Sequence, residues 1–320
     1  MRRTFKFAII FLFIVGGCSE DFFNPIVEID IPVVKAKLVL YSLLAEGDQT
    51  VTVFLTHSRH PLGINNYSVL DSSVFKYYDI KKMDSVRMVF YRLADYPDSV
   101  SNARVNLYQQ NTLIASLTKK DKTSFQTTLP GSGIRAGQEY TIKIDAPGYD
   151  AIEATTTIPN AVPIDTVFYT PKVKHVSSGI DLHTFVTDDY DIKLRDPIKE
   201  PNFYDIFGFV RDTFNGQILN EYIQLYGIDE IADDKFLTDQ GRNGQTITWK
   251  RYSDPFQYRK MFVRLYSISE SYYQFRLSAD KMFNNRDNPF AEPSILYSNV
   301  SNGYGFFGGY SFNEKEIKLR

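Results

Sequence analysis

The chain predicts a mainly β protein built as two β-sandwich domains, the second carrying one packed α-helix. Three observations lead there. Residues that suit a pleated, half-buried surface are abundant, including 22 Tyr and 25 Phe among 320 residues. Short runs alternate apolar with polar side chains and are separated by turn residues. One segment alone, about Ser269 to Phe283, breaks the two-residue period for a helical one.

From the N-terminus, Arg2, Arg3 and Lys6 precede the apolar run Phe7 to Val15 and the small pair Gly16-Gly17. That order marks residues 1–17 as a secretory signal peptide. The run falls short of the about 20 apolar residues a membrane span needs. Cys18 follows directly and is the only cysteine, so disulfides are excluded and packing must hold the fold. Residues 18–32 contain Pro25 and Pro32 and read as an extended tether. Without residues 1–17 the chain has 33 basic and 38 acidic side chains, a net charge of −5. Such a balance carries no electrostatic footprint for nucleic acid or anionic head groups.

The first sandwich is expected over 33–160. Lys37 to Leu44 and Gln49 to Leu55 are strand-like around the turn Glu46-Gly47-Asp48, and His57 to Val74 reads as a long polar loop. Asp84 to Leu93 is a further strand. Ala103, Val105 and Leu107 form an inward row opposite Arg104, Asn106 and Tyr108, and Tyr140, Ile142 and Ile144 form another. Leu113–Leu117 and Ala151 to Ile158 complete about seven short strands, the spacing of an immunoglobulin-like or transthyretin-like sandwich. Pro159 to Pro163 punctuates the chain, and the second domain is expected over 161–320. Its strands lie near Ile164–Tyr169, Phe203–Asp212, Ile218–Leu225, Thr246–Tyr252 and Lys260–Ser267, with Asn215-Gly216 and Asn243-Gly244 at turns. Ser267-Ile268-Ser269-Glu270 has capping-box spacing, and Tyr272, Phe275, Ala279 and Met282 follow at helical intervals as core-packing residues.

Catalytic and metal chemistry finds little purchase. There is no G-x-S-x-G, H-E-x-x-H or phosphate loop. His57 and His60 stand three apart with no third ligand nearby in sequence, and His175 and His183 lie in a polar connection. Asp188, Asp189 and Asp191, and separately Asp229, Glu230, Asp233 and Asp234, offer the oxygen ligands calcium prefers. Neither run has the spacing of a known calcium loop, so both read as solvated acidic loops. Gly303, Gly305 and Gly308 match G-x-G-x-x-G, but no helix can follow in the few residues left. They read instead as a closing strand in which glycines allow close approach, with Tyr304, Phe306 and Phe307 packing on the sandwich. These three aromatics are also the candidate partner or ligand contacts.

Val15-Gly16-Gly17-Cys18 resembles the lipobox of bacterial lipoproteins, which implies a diacylglycerol thioether and an N-acyl chain on Cys18. Ser19-Glu20-Asp21 looks like the acidic signal that sends Bacteroidota lipoproteins to the cell surface. The strands Lys37-Leu38-Val39-Leu40 and Asn102-Ala103-Arg104-Val105, the turn Pro147-Gly148-Tyr149, the boundary Ile158-Pro159 and the tail Asn299 to Gly309 follow in order. Together they resemble a Bacteroidota outer-membrane lipoprotein family of unknown function, the domain of unknown function 4249. Where that family's tail has a smaller apolar residue, this chain has Tyr304. The resemblance implies a surface-exposed outer-membrane lipoprotein, a non-catalytic accessory of a TonB-dependent receptor in nutrient capture. It implies no catalytic residues, no nucleotide and no cofactor besides the lipid. The alternatives are a stand-alone glycan- or peptide-binding surface lipoprotein and a hydrolase whose carboxylates meet only in the fold.

Overall fold

A computed structural model describes residues 35–58, 69–79, 84–94, 99–100, 102–176, 184–198, 201–214, 217–223, 225–227, 237–239, 243–255, 260–285, 292 and 294–319. Cys18, the tether, His60, His183 and Asp229 to Asp234 lie outside these residues. Strands β1 (Leu38–Ala45), β2 (Thr50–His57), β3 (Val69–Asp79), β4 (Asp84–Ala94) and β5 (Arg104–Gln109) come first. They are followed by β6 (Thr112–Lys119), β7 (Ser124–Thr128), β8 (Glu139–Asp145) and β9 (Ile152–Thr157). After the proline-bounded segment come β10 (Ile164–Val176), β11 (Thr184–Arg195), β12 (Phe203–Phe214), β13 (Gln217–Ile223), β14 (Tyr226–Gly227) and β15 (Leu237–Thr238). Then follow β16 (Thr246–Ser253), β17 (Lys260–Ile268), the helix α1 (Glu270–Asn285), β18 (Val300–Ser301) and β19 (Tyr304–Lys318).

The fold is mainly β; the described residues form one large curled sheet, a four-stranded sheet, the two-stranded sheet β3-β4 and one helix. The large sheet runs β13-β12-β17-β19-β1-β2-β7-β6-β5-β8-β9-β18, with β15 beside β12. Strand β6 turns its corner, pairing with β5 through Thr112 to Leu117 and with β7 through Thr118 and Lys119. The curl brings β1-β2-β7 over β5-β8-β9 and encloses the first apolar cluster. Val51, Val53 and Leu55 meet Val105, Leu107, Tyr140, Ile142 and Ile144 there, all buried as their two-residue spacing predicts. The second cluster lies between the other half of the large sheet and the smaller sheet β10-β11-β16-β14. It contains Tyr190, Ile192, Leu194, Ile247, Trp249, Val263 and Leu265. Residues 36–320 form one compact unit. Apart from Val300 and Phe307, the first cluster is drawn from residues before Pro159, and the second is drawn from Val162 onward, while the large sheet runs across that point.

Several local expectations change. Residues 69–74, read as loop, belong to β3, which pairs with β4 along its whole length. Strand β7 lacks a conspicuous apolar row and was not anticipated. The supposed acidic loop at Asp188, Asp189 and Asp191 is part of β11, the second strand of the smaller sheet. Its aspartates lower strand propensity, yet Tyr190, Ile192 and Leu194 keep the two-residue period. His175 likewise sits in β10 and not in a connection.

Strand β19 joins the two halves. Residues Tyr304 to Tyr310 pair in parallel with β1, and Tyr310 to Lys318 pair antiparallel with β17. Phe307 enters the first cluster and Ile317 the second. Gly305 adopts a φ of +110° against β1, and a Cβ there would stand 1.8 Å from the Leu40 carbonyl oxygen. The obstacle is backbone, which cannot swing aside. Gly305→Ala is therefore expected to destabilise the protein by roughly 3 kcal/mol or more. Gly131→Ala, at a φ of +70° but in open space, should cost only about 1–2 kcal/mol. Denaturant unfolding of both variants checks the difference, and equal losses would disprove the close approach.

Candidate functional site

Helix α1 starts where β17 ends, and its first turn is bound to β19. Ser269 is the N-cap: its Oγ accepts a hydrogen bond from the Tyr272 amide at 3.3 Å. The same Oγ accepts from the Gly309 amide at 3.0 Å, and the Ser269 amide donates to the Gly309 carbonyl at 2.8 Å. Ser267, expected in the cap, is instead a β17 residue whose hydroxyl accepts from the Val162 amide at 3.2 Å. The helix then lies on aromatic rings. Phe275 stacks on Phe306 with centroids 4.5 Å apart and planes 16° apart, and Tyr272 reaches the same ring at 5.6 Å. Tyr273 stacks on Phe203 at 4.5 Å, and Arg276 pairs with Asp205. Burial, then the surrounding tyrosines, pushes the Tyr272 phenol up to about 12, so it stays neutral in this packing.

The other side of α1 faces outward. Gln274, Leu277, Ser278 and Lys281 recur at three- and four-residue intervals and form one wall of a groove of about 620 Å³. Ile295, Leu296 and Tyr304 stand in the opposite wall. The Ser278 hydroxyl accepts from the Tyr297 amide at 2.9 Å, and the Asn285 amide donates to Ser294 Oγ at 3.2 Å. These bonds hold the wall at a fixed distance from the helix. Asn299 secures the segment's far end: its side chain accepts from the Phe307 amide at 2.9 Å and donates to the Phe307 carbonyl at 2.8 Å. Lys281 is the one charged residue among the described lining, and Ile295 is 88% exposed. Lys37 lies 5.1 Å above the Tyr304 ring, so the groove sits beside the point where the chain enters β1.

The three tail aromatics separate. Tyr304 is 48% exposed and lines the groove, whereas Phe306 and Phe307 are fully buried, under α1 and in the first cluster respectively. Internal packing takes up those two rings and leaves Tyr304 as the exposed ring of the set. Met282, expected in the core, is 45% exposed because α1 turns only its first half onto the sheet. Leu277, Ile295 and Leu296 were not anticipated. Ile295-Leu296 has no strand partner, and such an apolar pair in an unpaired segment is the signal that could have found it.

The remaining candidates take structural roles. His57 stacks on Tyr149 with centroids 5.9 Å apart. His175 Nε2 lies 3.1 Å from both Asp189 carboxylate oxygens, and Thr187 Oγ1 donates to the same group at 2.6 Å. Asp188 is buried and accepts from the Tyr169 hydroxyl at 3.2 Å and the Lys172 amide at 3.0 Å. Burial and the Asp188 charge push the Tyr169 phenol up to about 12. Among the described residues no three His, Cys, Asp or Glu side chains form a metal-binding group, and no helix is long and apolar enough to cross a membrane.

No curated protein matches the chain. Residues 25–316 match the model of a family described as a domain of unknown function, DUF4249. This length takes in the first apolar cluster, the second except Ile317 and Leu319, α1 and almost all of β19, and the chain belongs to that family.

Proposed function

We propose that this protein is a lipoprotein of the outer membrane, displayed at the cell surface and held by the acyl chains on Cys18. There it serves a TonB-dependent receptor as a non-catalytic accessory in nutrient uptake. The observation that carries the reading is the exposed apolar groove beside the start of β1. Contiguous apolar surface of this kind marks interaction sites in soluble domains. Leu277, Ile295, Leu296 and Tyr304 supply anchors of the type that dominate binding energy, and Ser278 and Asn299 preorganise them. The position matters as much as the composition. The residues between Cys18 and Ala36 reach at most about 60 Å when extended, so a groove at the start of β1 stays within range of a membrane-embedded partner. Two or more acyl chains suit this role, because a single chain binds only marginally.

Cys18→Ser is expected to abolish labelling with radioactive palmitate and to move the protein from the detergent to the aqueous phase on partitioning. Unchanged partitioning would sink the lipoprotein reading. For the groove, Leu277→Asp with Ile295→Asp should lower recovery of a mass-spectrometrically identified TonB-dependent receptor at least about tenfold. The melting temperature should hold, since both side chains are exposed. Full recovery with the double variant, or recovery of no such receptor with the wild type, removes the accessory role.

A further inference from the structure

A second cavity, on the other side of the α1 N-terminus, has a more polar lining. It is a cleft of about 830 Å³ at the seam between the two apolar clusters, within the size range of ligand sites. One wall is the exit of β9 from Thr155 to Asn160; the other combines Pro197, Pro201 and Phe203 with the first turn of α1, Tyr297 and Asn299. Hydroxyl and amide groups share the lining with apolar side chains. Glu270 is the one charged residue among the described lining.

Some of these polar groups are committed. Ser271 Oγ donates to the Phe307 carbonyl at 3.0 Å, Asn299 is held on Phe307, and the Thr155 and Thr141 hydroxyls lie 2.9 Å apart. Thr157, Asn160 and Glu270 are different: they are exposed, and their side chains make no hydrogen bond among the described residues. The Tyr297 phenol also lacks one. Burial, then the Glu270 charge, pushes that phenol up, which keeps it neutral and able to donate or accept. The cleft thus offers a carboxyl group with two oxygens for sugar hydroxyls, an amide that donates and accepts, and two further hydroxyls. Pro159, Pro197, Pro201 and Phe203 add apolar faces between them.

We propose that this seam cleft binds a neutral oligosaccharide. Sugar hydroxyls bond to Glu270, Asn160, Thr157 and Tyr297, while the C–H faces of the pyranose rings rest on the prolines and Phe203. Glu270 disfavours acidic sugars, which would meet a like charge there. The inference is independent of the receptor reading, because the ligand site and the apolar groove share only the supporting segment around Tyr297.

The test is isothermal titration calorimetry on the lipidated full-length protein in lauryldimethylamine oxide, a detergent with no sugar head group. Maltohexaose, cellohexaose, xylohexaose and mannohexaose are the probes, with hexagalacturonate as the acidic comparison. At least one neutral probe should bind, and hexagalacturonate at least about tenfold more weakly, through like-charge repulsion from Glu270. Thr157→Arg, which fills the cleft from an exposed strand position, and Glu270→Gln, which keeps the shape, should each weaken binding at least about tenfold. Melting curves matching the wild type establish that both variants fold. Binding of none of the neutral probes overturns the proposal, as does binding unchanged in both variants. No receptor is present, so failure here leaves the docking role standing, and loss of receptor recovery leaves this site standing.

Discussion

Strand β19 passes its backbone hydrogen bonds from β1 to β17 at Tyr310, and the rest of the molecule depends on that handover. Without it the two halves of the large sheet would each end in an open edge. The free side of β19 beside β1 is completed by side chains where no strand is available. Asn299 takes up both polar groups of Phe307, and Ser269 takes up both of Gly309 through its amide and its hydroxyl. Backbone groups buried in this region are therefore paired without a further strand, as buried amides and carbonyls require. The parallel pairing of β1 with β19 joins the two ends of the described fold, an arrangement with high loop-closure cost that local contacts cannot nucleate.

The same contacts position both candidate surfaces. Ser269 caps α1 only because β19 is in place to share its hydroxyl, and Phe306 forms the bed on which Tyr272 and Phe275 rest. The helix held in this way turns Leu277 toward the apolar groove and Glu270 toward the polar cleft. Asn299 and Ser278 fix the segment that walls both. An apolar groove and a more polar cleft thus flank one helix.

Much of the frame was legible because strand burial has a period of two. Val105 and Leu107, Tyr140 to Ile144, and the turn at Gly47 all fall where alternation and turn chemistry put them. Alternation was obscured where polar residues occupy a buried strand. In β11, Asp188 is buried because Tyr169 and the Lys172 amide satisfy it, and those partners are 19 and 16 residues away. A linear reading sees three aspartates and infers solvent. The tail glycines were readable as a close approach, but not what they approach, since the Leu40 carbonyl lies in the first strand of the fold.

By itself the sequence determined the β-rich class, the helix after Ser269 and the family, because each is carried by local spacing or by residues in order along the chain. The tertiary structure decided which aromatics of the tail remain outside, that two sandwich-like halves share one sheet, and where groove and cleft open. Those outcomes rest on contacts between residues more than a hundred positions apart, such as Thr156 with Ser271 and Tyr41 with Phe306. Periodicity along a chain specifies which face of a strand is apolar; it does not specify which other strand will cover it.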